Sequence, residues 1–186
     1  MGMLGENPVS RTKLPVLKVR GGSDAKVTIA SGSVVGFCVH WLAHRSYMCG
    51  GEGCPACLAD VGGRWNGVLV VRWQRGAVRR LLLLEVSAST WERFFGLCRM
   101  EGWGSLVGLE VHCMRERPKS PLVLDPLGFV EGERAAGVAS WRILDAVATL
   151  YGLPSAREGE SAEDWQERAQ PAAHRLIELA MRREML

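Results

Sequence analysis

Hydrophobic and polar residues alternate with the period of β-strands over much of the first two thirds of the chain. Val27 and Ile29 have polar neighbours, and the run from Ser33 to Trp41 is rich in β-branched and aromatic residues. Glycine, cysteine and proline are then concentrated in residues 49–63, which predicts a loop. The pattern therefore predicts a strand-rich body over residues 26–130.

The clearest predicted element is a β-hairpin. Trp65–Trp73 forms one strand, residues 74–77 form the turn, and Val78–Val86 forms the return strand. Side chains alternate along a strand, so both terminal tryptophans of the first strand share a face with Leu69 and Val71. This shared face favours core positions for the two tryptophans.

A helix and two further strands are predicted after the hairpin. Ser87 or Ser89 caps a helix that ends near Met100, and Leu109–Arg115 and Leu122–Leu124 follow as strands. The order of one strand, a two-strand hairpin, a helix and two strands is that of an OB-fold. We therefore predict a mainly β fold with helices (α+β), in which residues 26–130 form a five-stranded OB-fold-like barrel. A generic α+β sandwich is the alternative.

The two ends of the chain differ from this body. After Gly132 the spacing becomes helical, and residues 131–186 are predicted to be an acidic helical extension, with a helix start at Ser161 and an interruption near Pro171. Residues 1–25 are rich in glycine and basic residues and are predicted to be a flexible basic arm. Within it, Leu14–Leu17 is a candidate docking strand.

Composition and charge narrow the class of protein. Hydrophobic residues make up 47% and charged residues 23% of the 186, which excludes a wholly disordered chain. No membrane-spanning run and no secretory signal are seen in the sequence, so we expect a cytoplasmic protein with no membrane partner. Residues 1–120 carry 16 Lys+Arg against 9 Asp+Glu (+7), and residues 121–186 carry 7 against 11 (−4), a layout typical of chains that meet a polyanion.

The strongest chemical signal is His40-x8-Cys49-x4-Cys54-x2-Cys57, inside a loop region of about residues 38–63. Three cysteines and one histidine are a common tetrahedral ligand set for structural zinc. Cys38 or His44 could replace His40 as the fourth ligand, and Cys38 would also permit an iron–sulfur cluster. A thioredoxin-like redox pair is disfavoured because the expected βαβ surroundings are missing. A closed four-ligand set leaves no open position for water, so the zinc is expected to be structural.

No motif in the sequence indicates a catalytic activity. The chain lacks the phosphate-binding loop, the H-E-x-x-H and G-x-S-x-G patterns, and the H-x-E plus P-C-x-x-C pattern of zinc deaminases. We therefore expect a protein that is not an enzyme.

The positive signal is for nucleic acid. Five arginines and no acid lie in residues 64–80, interleaved with Trp65 and Trp73, and aromatic and basic residues adjoin the cysteine loop. Cationic grooves with stacking aromatic rings hold single strands, and OB-folds bind in this part of the barrel. The candidate contacts are Arg45, Tyr47, Arg64, Trp65, Arg72, Trp73, Arg75, Arg79 and Arg80.

The stretch from Val39-His40-Trp41 through Cys49 and Cys54-Pro55-x-Cys57 to Arg64-Trp65 resembles the zinc-containing OB-fold single-stranded DNA-binding proteins of tailed bacteriophages, the gene-32-like family. The resemblance implies that His40, Cys49, Cys54 and Cys57 are the zinc ligands. It covers residues 14–125 as a pattern, and only the histidine–cysteine stretch is specific. The basic C-terminal end and the short loop between His40 and Cys49 depart from the family pattern.

The expected function is therefore non-enzymatic binding of single-stranded DNA or RNA, with DNA favoured, in replication, recombination or defence of a phage or mobile element. The C-terminal helices would pack on the barrel or engage other replication, recombination or effector proteins. The alternatives are a zinc-stabilised protein–protein adaptor in a larger nucleoprotein complex, and an enzyme subunit whose active site needs a second chain.

Overall fold

The computed structural model describes residues 13–133 and 137–184, in which the protein is mixed α+β. The first twelve residues of the predicted basic arm lie outside the described residues. The strands are β1 Ser23–Ile29, β2 Val35–Leu42, β3 Arg45–Met48, β4 Gly63–Arg75, β5 Val78–Ser87, β6 Leu109–Arg115 and β7 Val123–Phe129. The helices are α1 Pro55–Leu58, α2 Ala88–Met100, α3 Ser140–Tyr151 and α4 Ala162–Glu184.

The sheet is organised around β4, its longest strand. Along one edge β4 pairs with β5, and along the other it pairs first with β2 and then with β1. The remaining pairings give the order β3-β2-β4-β1-β6-β7, and all pairs of named strands are antiparallel. In the described chain β5 and β7 do not pair, so the sheet is open, and α2 contacts both of these strands.

These observations confirm the α+β class, whereas the five-stranded OB-fold-like barrel stays a prediction, because the sheet is not closed into a barrel. The hairpin of β4 and β5 is present, and Ser87 caps α2 by accepting a 3.3 Å hydrogen bond from the backbone N–H of Thr90. The described residues contain seven strands, where the sequence predicted five. The chain from residue 23 to 42 divides into two strands, and the short β3 was not predicted because its four residues carry little periodic signal.

The described part of the N-terminal arm lies beside β5. The backbone N–H of Leu17 donates to the carbonyl of Leu83 at 2.8 Å, and the N–H of Leu83 donates to the carbonyl of Pro15 at 2.9 Å. The candidate docking strand therefore covers part of the free edge of β5, a position where an unpaired strand would otherwise expose backbone groups.

Each face of the sheet has its own hydrophobic core. One core lies under α2 and takes residues from β1, β4, β5, β6 and β7, with Phe94 and Cys98 of α2 fully buried within it. The other lies under α3 and α4 and includes Val68, Val70 and Leu83 of the central hairpin. The C-terminal helices are thus part of the packed fold, covering the middle of the face opposite α2.

The predicted interruption of the last helix at Pro171 is wrong, because α4 runs unbroken from Ala162 to Glu184. Proline removes one backbone hydrogen bond, but Pro171 is exposed and the buried side of the helix keeps the two ends aligned. That buried side is spaced at helical intervals and consists of Trp165, Ala169, Ala173, Ile177 and Ala180. None of the helices in the described ranges is long and apolar enough to cross a membrane.

Candidate metal centre and basic surface

Three short elements bring the four predicted ligands together. His40 lies on β2, Cys49 directly follows β3, and Cys54 and Cys57 flank and occupy the single-turn helix α1. The β2–β3 turn has only two residues, both with positive φ (44° and 63°), so β3 returns alongside β2 and places Cys49 near His40. Pro55 at the first position of α1 fixes the turn that separates the last two cysteines.

The ligand atoms of these residues all lie within 4.8 Å of one another. His40 Nε2 is 3.5 Å from Cys57 Sγ and 3.6 Å from Cys54 Sγ, and the Sγ atoms of Cys49 and Cys57 are 3.6 Å apart. A tetrahedral zinc ion with ordinary bond lengths requires N–S separations of about 3.6 Å and S–S separations of about 3.8 Å. Three of the six distances therefore match a metal site with one imidazole and three thiolates, and the other three are no longer than 4.8 Å.

The imidazole of His40 is held in the orientation that a metal ligand needs. Its side chain is buried, and Nδ1 lies 3.0 Å from the backbone carbonyl of Val61. A proton on Nδ1 donates to this carbonyl, which leaves the lone pair of Nε2 directed at the sulfurs. Metal-binding histidines commonly have such a partner, because it fixes both the tautomer and the ring orientation.

The surroundings shift the pKa values of Cys54 and Cys57 in opposite directions. Burial and the neighbouring Cys49 and Cys54 sulfurs raise the pKa of Cys57 to about 12. Burial also opposes ionisation of Cys54, but backbone hydrogen bonds with Cys57, Gly50 and Ala56 outweigh it and lower the pKa of Cys54. Adjacent thiolate charges repel one another, and a bound cation would offset this repulsion and favour the deprotonated ligands.

The two alternative fourth ligands lie outside the cluster. Cys38 is exposed, and its backbone carbonyl accepts a 2.8 Å hydrogen bond from the N–H of Cys49. The sulfur of Cys38, however, is not one of the four ligand atoms that lie within 4.8 Å of one another. His44 is exposed in the β2–β3 turn, at the other end of the hairpin from Cys49. The geometry therefore favours His40.

Helix α4 packs directly on the metal loop, a contact that the sequence analysis did not foresee. Ile177 and Ala180 are buried together with Cys54 and Ala56 of the loop. His174 Nε2 lies 3.1 Å from the carbonyl of Gly50, and Gln170 Nε2 donates to the carbonyl of Glu52 at 2.9 Å. The feature of the sequence that could have indicated this packing is the row of alanines at helical spacing in α4, because small residues let a helix approach another backbone closely.

The predicted nucleic-acid contacts separate into two groups at opposite ends of β4. One group surrounds the hairpin tip, residues 74–80, where Arg75, Arg79 and Arg80 are exposed and Arg72 is half-buried behind them. The other group contains Arg64, at the start of β4, and Arg45, at the start of β3. The β4 backbone from Arg64 to Arg72 spans at most about 26 Å, and α3 and α4 cover the core residues between them.

The three predicted aromatic contacts are mostly withdrawn from solvent. Trp65 and Trp73 pack against the core beneath α2, as their shared strand face with Leu69 and Val71 indicated. Tyr47 is only 7% exposed, and the guanidinium of Arg45 lies 4.8 Å from its ring centre. The structure therefore places these rings where base stacking would require them to move.

An exposed tryptophan outside the predicted set has the properties of a stacking platform. Trp41 on β2 is 56% exposed, and the guanidinium of Arg64 lies 5.9 Å from its ring centre. Arg64 is also oriented by a 3.3 Å hydrogen bond to the hydroxyl of Ser46 on β3. Alternation places Trp41 on the opposite face of β2 from the buried His40 and Leu42. Because either face of a sheet can be covered, alternation alone does not predict that Trp41 is exposed.

Comparisons with protein-family models, with curated proteins and with solved structures gave no match to this chain. The resemblance to phage single-stranded DNA-binding proteins therefore depends on the histidine–cysteine stretch alone.

Proposed function

We propose that the protein is a non-enzymatic single-stranded nucleic-acid-binding protein with a structural zinc ion, and that its ligand is DNA exposed in replication, recombination or defence of a phage or mobile element. We further propose that β1 and β4 to β7 with α2 form a partly open OB-like barrel. The strand order β5-β4-β1-β6-β7, with α2 after the hairpin and across the open edges, supports this assignment.

The donor set supports zinc in a structural role. Thiolate and imidazole ligands suit zinc, and the four of them complete a tetrahedron without a site for substrate or water. The ion would join β2, β3 and α1 to one another, and through Ile177 and Ala180 it would also support the docking of α4. Its binding energy would therefore stabilise the packing of β2, β3, α1 and α4.

The proposal for nucleic acid depends chiefly on the hairpin tip, where three exposed arginines are carried by a rigid pair of strands. Phosphates of a single strand are bound by such side chains, and counterion release makes the affinity depend on salt. Trp41 with Arg64 adds an aromatic face beside a cation at the other end of β4. Stacking of a base on such a ring contributes roughly 1–3 kcal/mol.

The proposal is tested by replacing Arg75, Arg79 and Arg80 together with glutamine and titrating fluorescent oligo-dT by anisotropy. The matched control replaces three exposed arginines away from the tip, Arg93, Arg99 and Arg117. We expect the tip variant to lose affinity and to flatten the slope of log K against log salt by about 2 units, at about 0.7 per phosphate contact. Equal affinity of both variants, or no binding by the wild type, would refute the proposal.

A protein–protein adaptor is the second candidate. Phe95 and Met100 of α2 and Leu127 of β7 are 41%, 77% and 48% exposed, which favours a protein contact on the α2 side of the molecule. In that case the tip substitutions would leave partner binding intact, whereas polar substitutions of these three residues would abolish it in a pull-down with a candidate partner.

A further inference from the structure

The carboxylate of Glu133 binds two of the arginines that we assign to the nucleic-acid surface. Its Oε2 lies 2.7 Å from Nη1 of Arg72, and its Oε1 lies 3.3 Å from Nη2 of Arg79. The side chains of Glu133 and Arg72 are only 16% and 19% exposed, so the first ion pair is largely shielded from water. Two neighbouring guanidinium groups thus share one carboxylate, with one oxygen for each.

The ion pairs lie in a cavity of about 460 Å³ at the side of the hairpin tip. Three basic side chains line it, those of Lys26, Arg72 and Arg79, together with two acids, Glu110 and Glu133. The formal charge of this lining is +3 − 2 = +1, and it becomes +2 if Glu133 withdraws. The uncharged polar groups of the lining include Thr28 and Gln74.

We propose that this cavity is a phosphodiester-binding subsite that Glu133 occupies in the free protein and that a nucleic-acid phosphate takes over. This inference depends on the proposed function. Carboxylate and phosphate oxygens accept the same charge-assisted hydrogen bonds from arginine, so one can replace the other on Arg72 and Arg79. The arginines are fixed on the β4–β5 ladder, whereas Glu133 lies in the connection after β7, outside the strands.

Competition between Glu133 and a phosphate for the same arginines should make the nucleic-acid affinity of the wild type lower than the arginines alone would give. A phosphate that enters the subsite must first displace Glu133, so the contacts of Arg72 and Arg79 are partly offset. Substitution Glu133→Gln removes the competing charge and retains the shape of the side chain. We expect it to raise the affinity for oligo-dT about tenfold, since charge-assisted hydrogen bonds contribute on this scale.

The experiment compares wild type, Glu133→Gln and Glu131→Gln in anisotropy titrations with the same oligonucleotide at several salt concentrations. Glu131 is an exposed acid two residues away, so its substitution matches the change in net charge without touching the two pairs that Glu133 forms. Arg79→Gln is added to the wild type and to Glu133→Gln. We expect Arg79→Gln to lower the affinity more in the Glu133→Gln protein, because only there is Arg79 free of its carboxylate.

The outcomes separate this inference from the proposed function. If wild type binds and Glu133→Gln binds no better than Glu131→Gln, the subsite is refuted while nucleic-acid binding stands. If Arg79→Gln has the same effect in both proteins, the exchange is likewise refuted. If no variant binds at any salt concentration, the proposed function fails and the inference fails with it. Circular dichroism and thermal unfolding of each variant establish that the comparison is made between folded proteins.

Discussion

The contact between Gly50 and His174 provides a quantitative test of how α4 packs on the metal loop. A methyl group placed on Gly50 would lie 2.0 Å from Cδ2 and 2.4 Å from Nε2 of His174, closer than van der Waals contact allows. The imidazole would therefore have to leave, and its 3.1 Å hydrogen bond to the Gly50 carbonyl would be lost. Substitution Gly50→Ala should thus strain α4 against the loop.

The expected cost follows from two contributions. A lost hydrogen bond is worth about 1 kcal/mol, and overpacking costs about 1–3 kcal/mol, so we expect Gly50→Ala to lower the free energy of unfolding by about 2–4 kcal/mol. His174→Ala alone should cost only about 1 kcal/mol, for the lost bond and contacts. The double variant should be close to His174→Ala, because the added methyl group then occupies the space that the ring vacated.

Urea unfolding of the zinc-loaded proteins measures these free energies in a double-mutant cycle. Gly51→Ala is the reference for a glycine substitution in the same loop, since Gly51 has a φ of 73° and its nearest neighbour is 3.7 Å away. We expect a coupling of about 2–4 kcal/mol between positions 50 and 174, equal to the cost of Gly50→Ala alone, and a strain at Gly51 that His174→Ala does not relieve. Additive effects of Gly50→Ala and His174→Ala would refute this packing of α4.

Two further predictions concern the ligands and the connection before α4. Cys57→Ser should abolish chelator-resistant zinc, because a neutral hydroxyl replaces a thiolate, whereas Cys38→Ser should retain one zinc per chain. Elemental analysis after dialysis against EDTA measures the zinc that each variant keeps. Equal losses of zinc in the two variants would contradict the ligand assignment. The bidentate contact with Arg168 lowers the pKa of Glu160 to about 2 from 4.5. The stability that it contributes should be complete above about pH 4.5 and lost as the pH falls toward 2, so the difference in unfolding free energy between wild type and Glu160→Gln should shrink over that range. A difference that does not change with pH would contradict this role of the ion pair.

The elements that the sequence predicted well are those with long periodic patterns. The hairpin of β4 and β5 and the helix α2 each have ten or more residues, so their alternation or helical spacing is unambiguous. Short elements carry no such signal, and β3 and α1, with four residues each, were both missed. For the metal cluster, the sequence supplied the spacing of the four residues, but the choice of His40 over Cys38 and His44 required the three-dimensional distances.

The surface could be predicted only in part, because its character depends on contacts between residues far apart in sequence. The arginines of the hairpin tip are exposed as expected, but nothing near Arg72 in the sequence indicates that Glu133, 61 residues away, neutralises it. The docking of α4 likewise joins residues more than 100 positions apart, such as His174 and Gly50. Aromatic residues showed the same ambiguity, since Trp41 is exposed and Trp65 is packed against the core.

The claim that one imidazole and three thiolates hold a zinc ion is tested most directly by X-ray absorption spectroscopy at the zinc edge, combined with metal analysis of the purified protein. We predict one zinc per chain, bound by three sulfurs at about 2.3 Å and one nitrogen at about 2.0–2.1 Å. A chain without stoichiometric zinc, a shell of four sulfurs that includes Cys38, or oxygen ligands in place of His40 would contradict the account.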